Sequence, residues 1–172
     1  MWIKLTGAVL ILISGSGIGI YYAGKIKTRI NSLVEMRKIL SIMAGEIRFG
    51  TSTLWEISSR FSKNPGTYQK FFFEVSKKME SEDKLPFRQI WEQSANANLK
   101  DTCLSGQDIV SLKRLGENLG CLDVAMQLDS INLYSQTLDA DIDKLSSISK
   151  EKIKLCYSLG IIGSIFLIIL LY

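Results

Sequence analysis

Residues 114–127, RLGENLGCLDVAMQ, set two glycines four apart, Gly116 and Gly120, and follow them with Asp123. Three structures could use that pattern: a loop that cradles phosphate, a close contact between membrane helices, or a corner between two helices. A phosphate loop needs a strand before it and a Lys-Ser or Lys-Thr pair after it, and neither is present. The long apolar runs of the chain lie far away in sequence, so a contact in lipid does not fit either. The corner remains. In it Gly120 ends one helix in the left-handed conformation, and Asp123 accepts amide hydrogen bonds at the start of the next. Gly116 gives up about 1 kcal/mol of helix propensity relative to alanine, a reasonable cost where a neighbouring helix packs on its bare backbone. Glu117 and Gln127 then either brace the corner or face a partner.

On the amino-terminal side of the corner the chain reads as a series of short helices. Ser105 and Asp108 form a capping box, which satisfies free amides at a helix start, and Ile109, Leu112, Leu115 and Leu119 follow on one face. Before it, Pro86 suits the first position of a helix in which Phe87, Ile90, Trp91 and Ala95 share a face. A helix from Thr67 to about Ser81 turns Tyr68, Phe71, Phe72, Val75 and Met79 inward. Thr53 and Glu56 make a second capping box for a short helix with Leu54, Ile57 and Phe61 on its buried face, closed by Pro65-Gly66. Earlier still, Ile26, Ile30, Leu33, Val34, Met36, Leu40, Met43 and Ile47 recur at threes and fours up to a capping Gly50. On the carboxy-terminal side, Val124, Leu128, Ile131, Ser135, Leu138, Ile142, Leu145 and Ser149 form a seam of period 3.5, as in a coiled coil. No stretch alternates as a strand does. The fold class is all-α, a six-helix bundle.

Two uncharged runs flank this bundle. Residues 5–23, LTGAVLILISGSGIGIYYA, and 155–172, LCYSLGIIGSIFLIILLY, are each close to the roughly 20 residues that cross a bilayer core as helix. Tyr21 stands where a signal-peptide cleavage site wants a small side chain, so the first run reads as a retained span. Expected boundaries are 1–24 and 155–172 for the transmembrane helices and 25–154 for the polar domain. Lys25, Lys27 and Arg29 follow the first run, and Lys150, Lys152 and Lys154 precede the second. The positive-inside rule therefore puts the middle domain in the cytoplasm and both termini outside it. Gly15 and Gly19 in one run, and Gly160 and Gly163 in the other, are spaced to let membrane helices pack closely.

Composition removes several classes of function. Among 172 residues there is no histidine, which excludes imidazole catalysis and most zinc and iron sites. Cys103, Cys121 and Cys156 form no C-x-x-C pair and read as small apolar fillers. The net charge of +4 is explained by the cations beside the apolar runs, leaving no patch for nucleic acid. SGSGIG at residues 14–19 lies inside an apolar run and lacks the strand and helix that a dinucleotide fingerprint needs. Trp55 and Trp91, with Phe71 and Phe72, are expected in the core rather than as stacking platforms for bases, whereas Phe73 falls off the inward stripe and suits a partner contact. Asp139, Asp141 and Asp143 spread around a helix rather than converge. No catalytic residue, metal site or cofactor is expected, and the chain reads as a non-enzyme. A small membrane enzyme or transporter is the rival from another class, disfavoured by the lack of histidine and of charge within the apolar runs.

Several of these stretches together resemble the stage III sporulation protein AB family over nearly the whole length. They are GEIRFG with TSTL, IWEQSANAN, LGENLGCLDVAMQ and GIIGSIFLIILL. The family pattern LG-x-x-LG-x-x-D-x-x-x-Q falls on Leu115, Gly116, Leu119, Gly120, Asp123 and Gln127, and E-I-x-(Y/F)-G on Glu46, Ile47, Phe49 and Gly50. Where the family commonly has Thr-Pro-Leu, this chain has Ser52, Thr53 and Leu54, without the proline. More distantly, GENLGCLDVAMQLDSINLY is similar to the corner of the cytoplasmic F domain in type II secretion and pilus platforms. The resemblances imply a membrane platform beside a secretion-type ATPase, protein AA of the sporulation operon. They place it in the mother-cell membrane around the forespore, within a channel complex of proteins AA to AH with stage II sporulation protein Q. Membrane lipids and a homo-oligomer are also among the implied partners. An F-type secretion or pilus platform is the alternative, though such proteins normally carry two copies of the helical domain.

Overall fold

The computed structural model describes the backbone of residues 2–50, 52–81, 85–121 and 123–171; the side chains of 2–19, 150, 152–153, 156–157, 159–161 and 163–171 lie outside the description. Among the described residues there are six helices and no strand: α1 (Trp2–Phe49), α2 (Leu54–Phe61), α3 (Gln69–Glu80), α4 (Phe87–Asn98), α5 (Gly106–Leu119) and α6 (Val124–Leu171). The chain divides into two compact units. One comprises Met1–Ile30 with Asp143–Tyr172, and the other Asn31–Ile142. In the first unit the carboxy-terminal part of α6 and the amino-terminal part of α1 are helical. Gly15, Gly19, Gly160, Gly163 and nearly all of the two apolar runs fall among the side chains outside the description. Among the described residues no helix is long and apolar enough to cross a membrane.

The second unit holds the core. Leu33, Met36, Leu40 and Met43 present one face of α1, each nearly inaccessible, and Ile57, Tyr68, Phe71, Phe72, Val75, Trp91, Leu112, Leu119, Ile131 and Leu138 of the other helices and loops are buried as well. The threes-and-fours spacing of the apolar residues causes this, because it aligns them along one stripe of each helix. In chain order α2 packs on α3, α3 on α4 and α4 on α5. Arg37 of α1 donates from Nε to both carboxylate oxygens of Asp139 on α6, at 2.9 and 3.0 Å.

Helix ends follow local chemistry. Both capping boxes form: the Thr53 hydroxyl accepts from Glu56 N at 3.2 Å while Glu56 accepts from Thr53 N at 2.6 Å, and Ser105 and Asp108 do the same at 3.2 and 2.7 Å. Gly50 ends α1 with φ of 59°, in the left-handed region that a Cβ disfavours. Two boundaries and the start of one buried seam differ from the sequence reading. α3 begins at Gln69 with Tyr68 as its cap, rather than at Thr67, because Glu35 of α1 takes the Thr67 amide at 3.1 Å and holds that residue outside the helix. Pro86 sits one position before α4, as its cap. Val124 opens α6 exposed, so the buried seam of that helix starts later, with Ile131 its first fully buried residue. Trp55, expected in the core, is 40% exposed, because the eight residues of α2 have room for only one buried edge, taken by Ile57, Ser58 and Phe61.

Candidate functional site

The α5–α6 corner is assembled from α4 outward. Trp91 is fully buried and sits edge-on to Phe71, with ring centroids 4.7 Å apart, and tilted against Phe87 at 5.5 Å. Its indole Nε1 donates to the Leu112 carbonyl of α5 at 2.8 Å. That bond draws the indole across the turn ending at Gly116. A Cβ at Gly116 would lie 2.2 Å from Trp91 Cδ1, well inside any carbon contact, so only glycine admits the ring. Gly120 faces Phe87 in the same way, where a Cβ would approach Phe87 Cβ to 2.9 Å. Phe87 and Trp91 are four apart on one helix, and Gly120 and Gly116 are four apart on the other, running oppositely. The two aromatic side chains of α4 thus seat in two bare patches of α5.

This corrects one expectation. Gly120 has φ of −86° and ψ of 3°, not the left-handed conformation. Glycine is required there by the close approach of Phe87, and the chain turns through ordinary backbone geometry with Cys121 N donating to Asn118 O at 3.1 Å. Beyond the turn, Asp123 accepts the Ala125 amide at 2.8 Å, capping α6, and its carbonyl accepts the Gln127 amide at 3.1 Å. The Gln127 side chain turns back and donates to the Cys121 carbonyl. Asn118 Nδ2 donates to Ser130 Oγ at 3.0 Å, tying α5 to the second turn of α6.

Of the five corner residues singled out in the sequence, Gly116 is buried and Gln127 half-buried and turned inward, whereas Glu117, Gly120 and Asp123 are exposed. Glu117 reaches Arg88 of α4 at 3.3 Å in a solvent-exposed ion pair, a contact that salt screens readily. Val124 and Met126 are exposed beside them, at 45% and 47%. The corner therefore offers solvent two exposed carboxylates, Glu117 in its ion pair with Arg88 and Asp123, and an apolar shoulder on a frame held by buried aromatic packing. Asp139 is tied to Arg37, and of the other two aspartates on α6, Asp141 is half-buried and Asp143 exposed. Among the described residues no group of acidic or cysteine side chains is arranged to hold a metal ion. Cys103 and Cys121 are half-buried free thiols.

Some polar residues were not legible in the sequence. Glu46, read only as the first letter of a motif, accepts from both Arg60 and Ser52 and clasps the α1–α2 corner. Glu35, a polar residue off the apolar stripe of α1, caps the α2–α3 loop, beside Gly66 and next to a 2.8 Å contact between the Ser32 and Thr67 hydroxyls. Tyr68 and Tyr134 are buried, and burial first pushes both phenols well above their ordinary pKa, helped at Tyr68 by Tyr134, Glu35 and Asp108 and at Tyr134 by Asp108 and Asp141. The Pro65-Gly66 turn was the available signal for Glu35. Nothing local marks the partner of Glu46.

Comparison with known proteins gives the same fold and names its relatives. The profile of stage III sporulation protein AB (spore_III_AB) matches residues 4–172. Stage III sporulation protein AB of Bacillus subtilis (strain 168) is 25% identical over 169 residues, which cover 98% of this chain and 99% of that one. A solved structure of stage III sporulation protein AB (SpoIIIAB) superposes with a TM-score of 0.65 at 23% identity, over 71% of this chain and 96% of that chain.

Proposed function

Since this chain belongs to the stage III sporulation protein AB family, we propose that it serves endospore formation as a non-enzymatic membrane platform subunit of the sporulation channel complex. Residues 5–23 and 155–172 anchor it as two transmembrane helices, and the positive-inside pattern puts the bundle in the mother-cell cytoplasm. The bundle acts as a docking body for the secretion-type ATPase, protein AA. The observation that supports this most is the α5–α6 corner. Buried aromatic packing on Gly116 and Gly120 fixes its frame, while Glu117, Asp123, Val124 and Met126 remain open to solvent. A rigid frame under an exposed mixed surface suits recognition, because little ordering entropy is lost on binding.

Crosslinking in sporulating cells tests the reading, with single cysteines at Glu117 and Asp123 in the full-length chain. Recovery of the ATPase at these positions, and not at a site on the far side of the bundle, is the expected result. Products confined to copies of this chain would remove the ATPase contact. Unimpaired spore formation and late forespore gene expression after deletion of the gene would remove the sporulation role altogether.

A further inference from the structure

A shallow groove of about 220 Å³ opens between α1 and the α2–α3 region, with Ile39, Ile42, Phe61, Tyr68 and Phe72 in its apolar lining; of its two charged residues, Glu35 is engaged by the Thr67 amide and Lys38 is exposed. Ile42 is 48% exposed in it. Next to the groove, on the outer face of α3, Phe73 stands 56% exposed with Lys70 and Lys77 three residues before and four after. That spacing frames the ring with two ammonium groups on one helix face. Lys63 adds a further exposed cation from the α2–α3 loop. From Arg60 to Lys78 there are five cations and one carboxylate, Glu74.

The complement of this surface lies on the same chain. From Asp123 to Asp143 there are five carboxylates and no cation. On the outer face of α6, Leu133, Thr137 and Ala140 are exposed at spacings of four and three, a second seam distinct from the buried one. Leu133 is 69% exposed, with Asp129 one turn before it. Thr137 Oγ1 donates to the Leu133 carbonyl four residues earlier, at 3.0 Å, so that hydroxyl is turned back onto the helix. Carbon is what the seam presents to solvent.

We propose that the groove and the Phe73 platform receive the Leu133 seam of a second copy of this chain. Leu133 supplies an aliphatic side chain for the groove, and Asp129 meets the lysines at 38, 63, 70 and 77. The two surfaces cannot meet within one molecule. Arg37 marks the flank of α1 that faces α6, and Ile39 and Ile42 lie roughly 140–160° around the helix from it. The faces therefore point away from each other, and each copy has one of each to offer. Such a contact is heterologous: it propagates head to tail and closes into a ring where the rotation permits. It stands apart from the ATPase contact, which uses the α5–α6 corner and is tested at other residues.

Two differently tagged full-length chains, one carrying Ile42→Cys and the other Leu133→Cys, are co-expressed with the three native cysteines replaced by serine. Mild oxidation of the membranes follows. The mixed product, 42 with 133, is expected in excess over either same-site product. Reversing Lys70 and Lys77 to glutamate should lower it about fivefold or more, given the modest worth of exposed ion pairs, and adding Asp129→Lys should bring it back. Absence of the mixed product, predominance of same-site products, or capture of a different protein by Ile42→Cys would each overturn the proposal. If a cysteine variant unfolds, sedimentation of the Leu133→Ser chain in detergent decides the matter: loss of the assembled species relative to the parent supports the contact, and no change refutes it.

Discussion

Adding one methyl group at Gly116 is the sharpest test of how α4 sits on α5. The new Cβ would lie 2.2 Å from Trp91 Cδ1, 2.5 Å from Cγ and 2.9 Å from Nε1. A relaxed carbon contact is about 3.5–4.0 Å, so the indole or the helix has to move by about 1.5 Å. Trp91 has nowhere easy to go, being fully buried between Phe71 and Phe87 and tied to the Leu112 carbonyl. Overpacking of this kind costs about 1–3 kcal/mol. Moving the indole also leaves a buried N–H without its acceptor, about 1–3 kcal/mol more. Against these, alanine gains about 1 kcal/mol over glycine in a helix interior. The net for Gly116→Ala is a destabilisation of about 3 kcal/mol, or about 10 °C in Tm for a chain of this size. Circular dichroism at 222 nm of the full-length chain in detergent measures it. Gly45→Ala is the internal control, since it lies within α1 with nothing inside 4 Å of its Cβ position; it should gain up to about 1 kcal/mol. Trp91→Ala removes the atoms that clash, whereas phenylalanine would keep Cγ and Cδ1, so the combination of Trp91→Ala with Gly116→Ala should cost less than the two single changes summed. A Gly116→Ala chain that melts at or above the parent temperature would refute the packing argument.

At Gly120, where φ is negative, alanine and asparagine should cost about the same, about 1 kcal/mol set by the approach of Phe87; a clear advantage for asparagine in thermal melts would restore the left-handed assignment. Ser94 Oγ is buried without a partner, so Ser94→Ala should raise stability by about 1 kcal/mol in urea titrations. Bonds from Thr53 hold the Glu56 carboxylate below its ordinary pKa of 4.5. A group lowered on folding stabilises above its unfolded pKa and loses that contribution as pH falls through the folded value. Acid unfolding monitored downward from pH 4.5 should therefore be shallower in Glu56→Gln. For Tyr68 the shift is upward, so its contribution is complete below about pH 10 and fades as pH rises through the folded value; Tyr68→Phe should flatten the alkaline loss of stability in pH-dependent melts.

How much of this could be read from the residues alone depended on the range of the cause. Helix starts at Thr53 and Ser105 were legible because a capping box is a contact across three residues, and Gly50 because it follows an apolar stripe that stops. The packing of a helix on Gly116 could be argued from the propensity it gives up. Gly120 was misread for an equally physical reason. Glycine is demanded both by a positive φ and by a close neighbour, and only the position of Phe87, 33 residues away, separates the two. Trp55 was misplaced because its apolar bulk argued for the core, although it lies off the Ile57–Phe61 edge that the pattern of this short helix marks as buried. The roles of Glu35 and Glu46 depend on loops that approach from later in the chain, and the groove beside Ile42 exists only once α1 and α3 are side by side.

The pairing of Phe87 with Gly120 and Trp91 with Gly116 also bears on misassembly. Helix surfaces repeat every turn, so two packed helices commonly have near-equivalent arrangements displaced by about 5.4 Å. Here the repeat is broken. Sliding α4 one turn toward the start of α5 would set Phe87 over Gly116 but drive Trp91 onto the buried Leu112 side chain. Sliding it the other way would seat Trp91 at Gly120 and carry Phe87 past the end of the helix. Two notches of matched spacing thus select one alignment out of a ladder of competitors, during folding as well as after it.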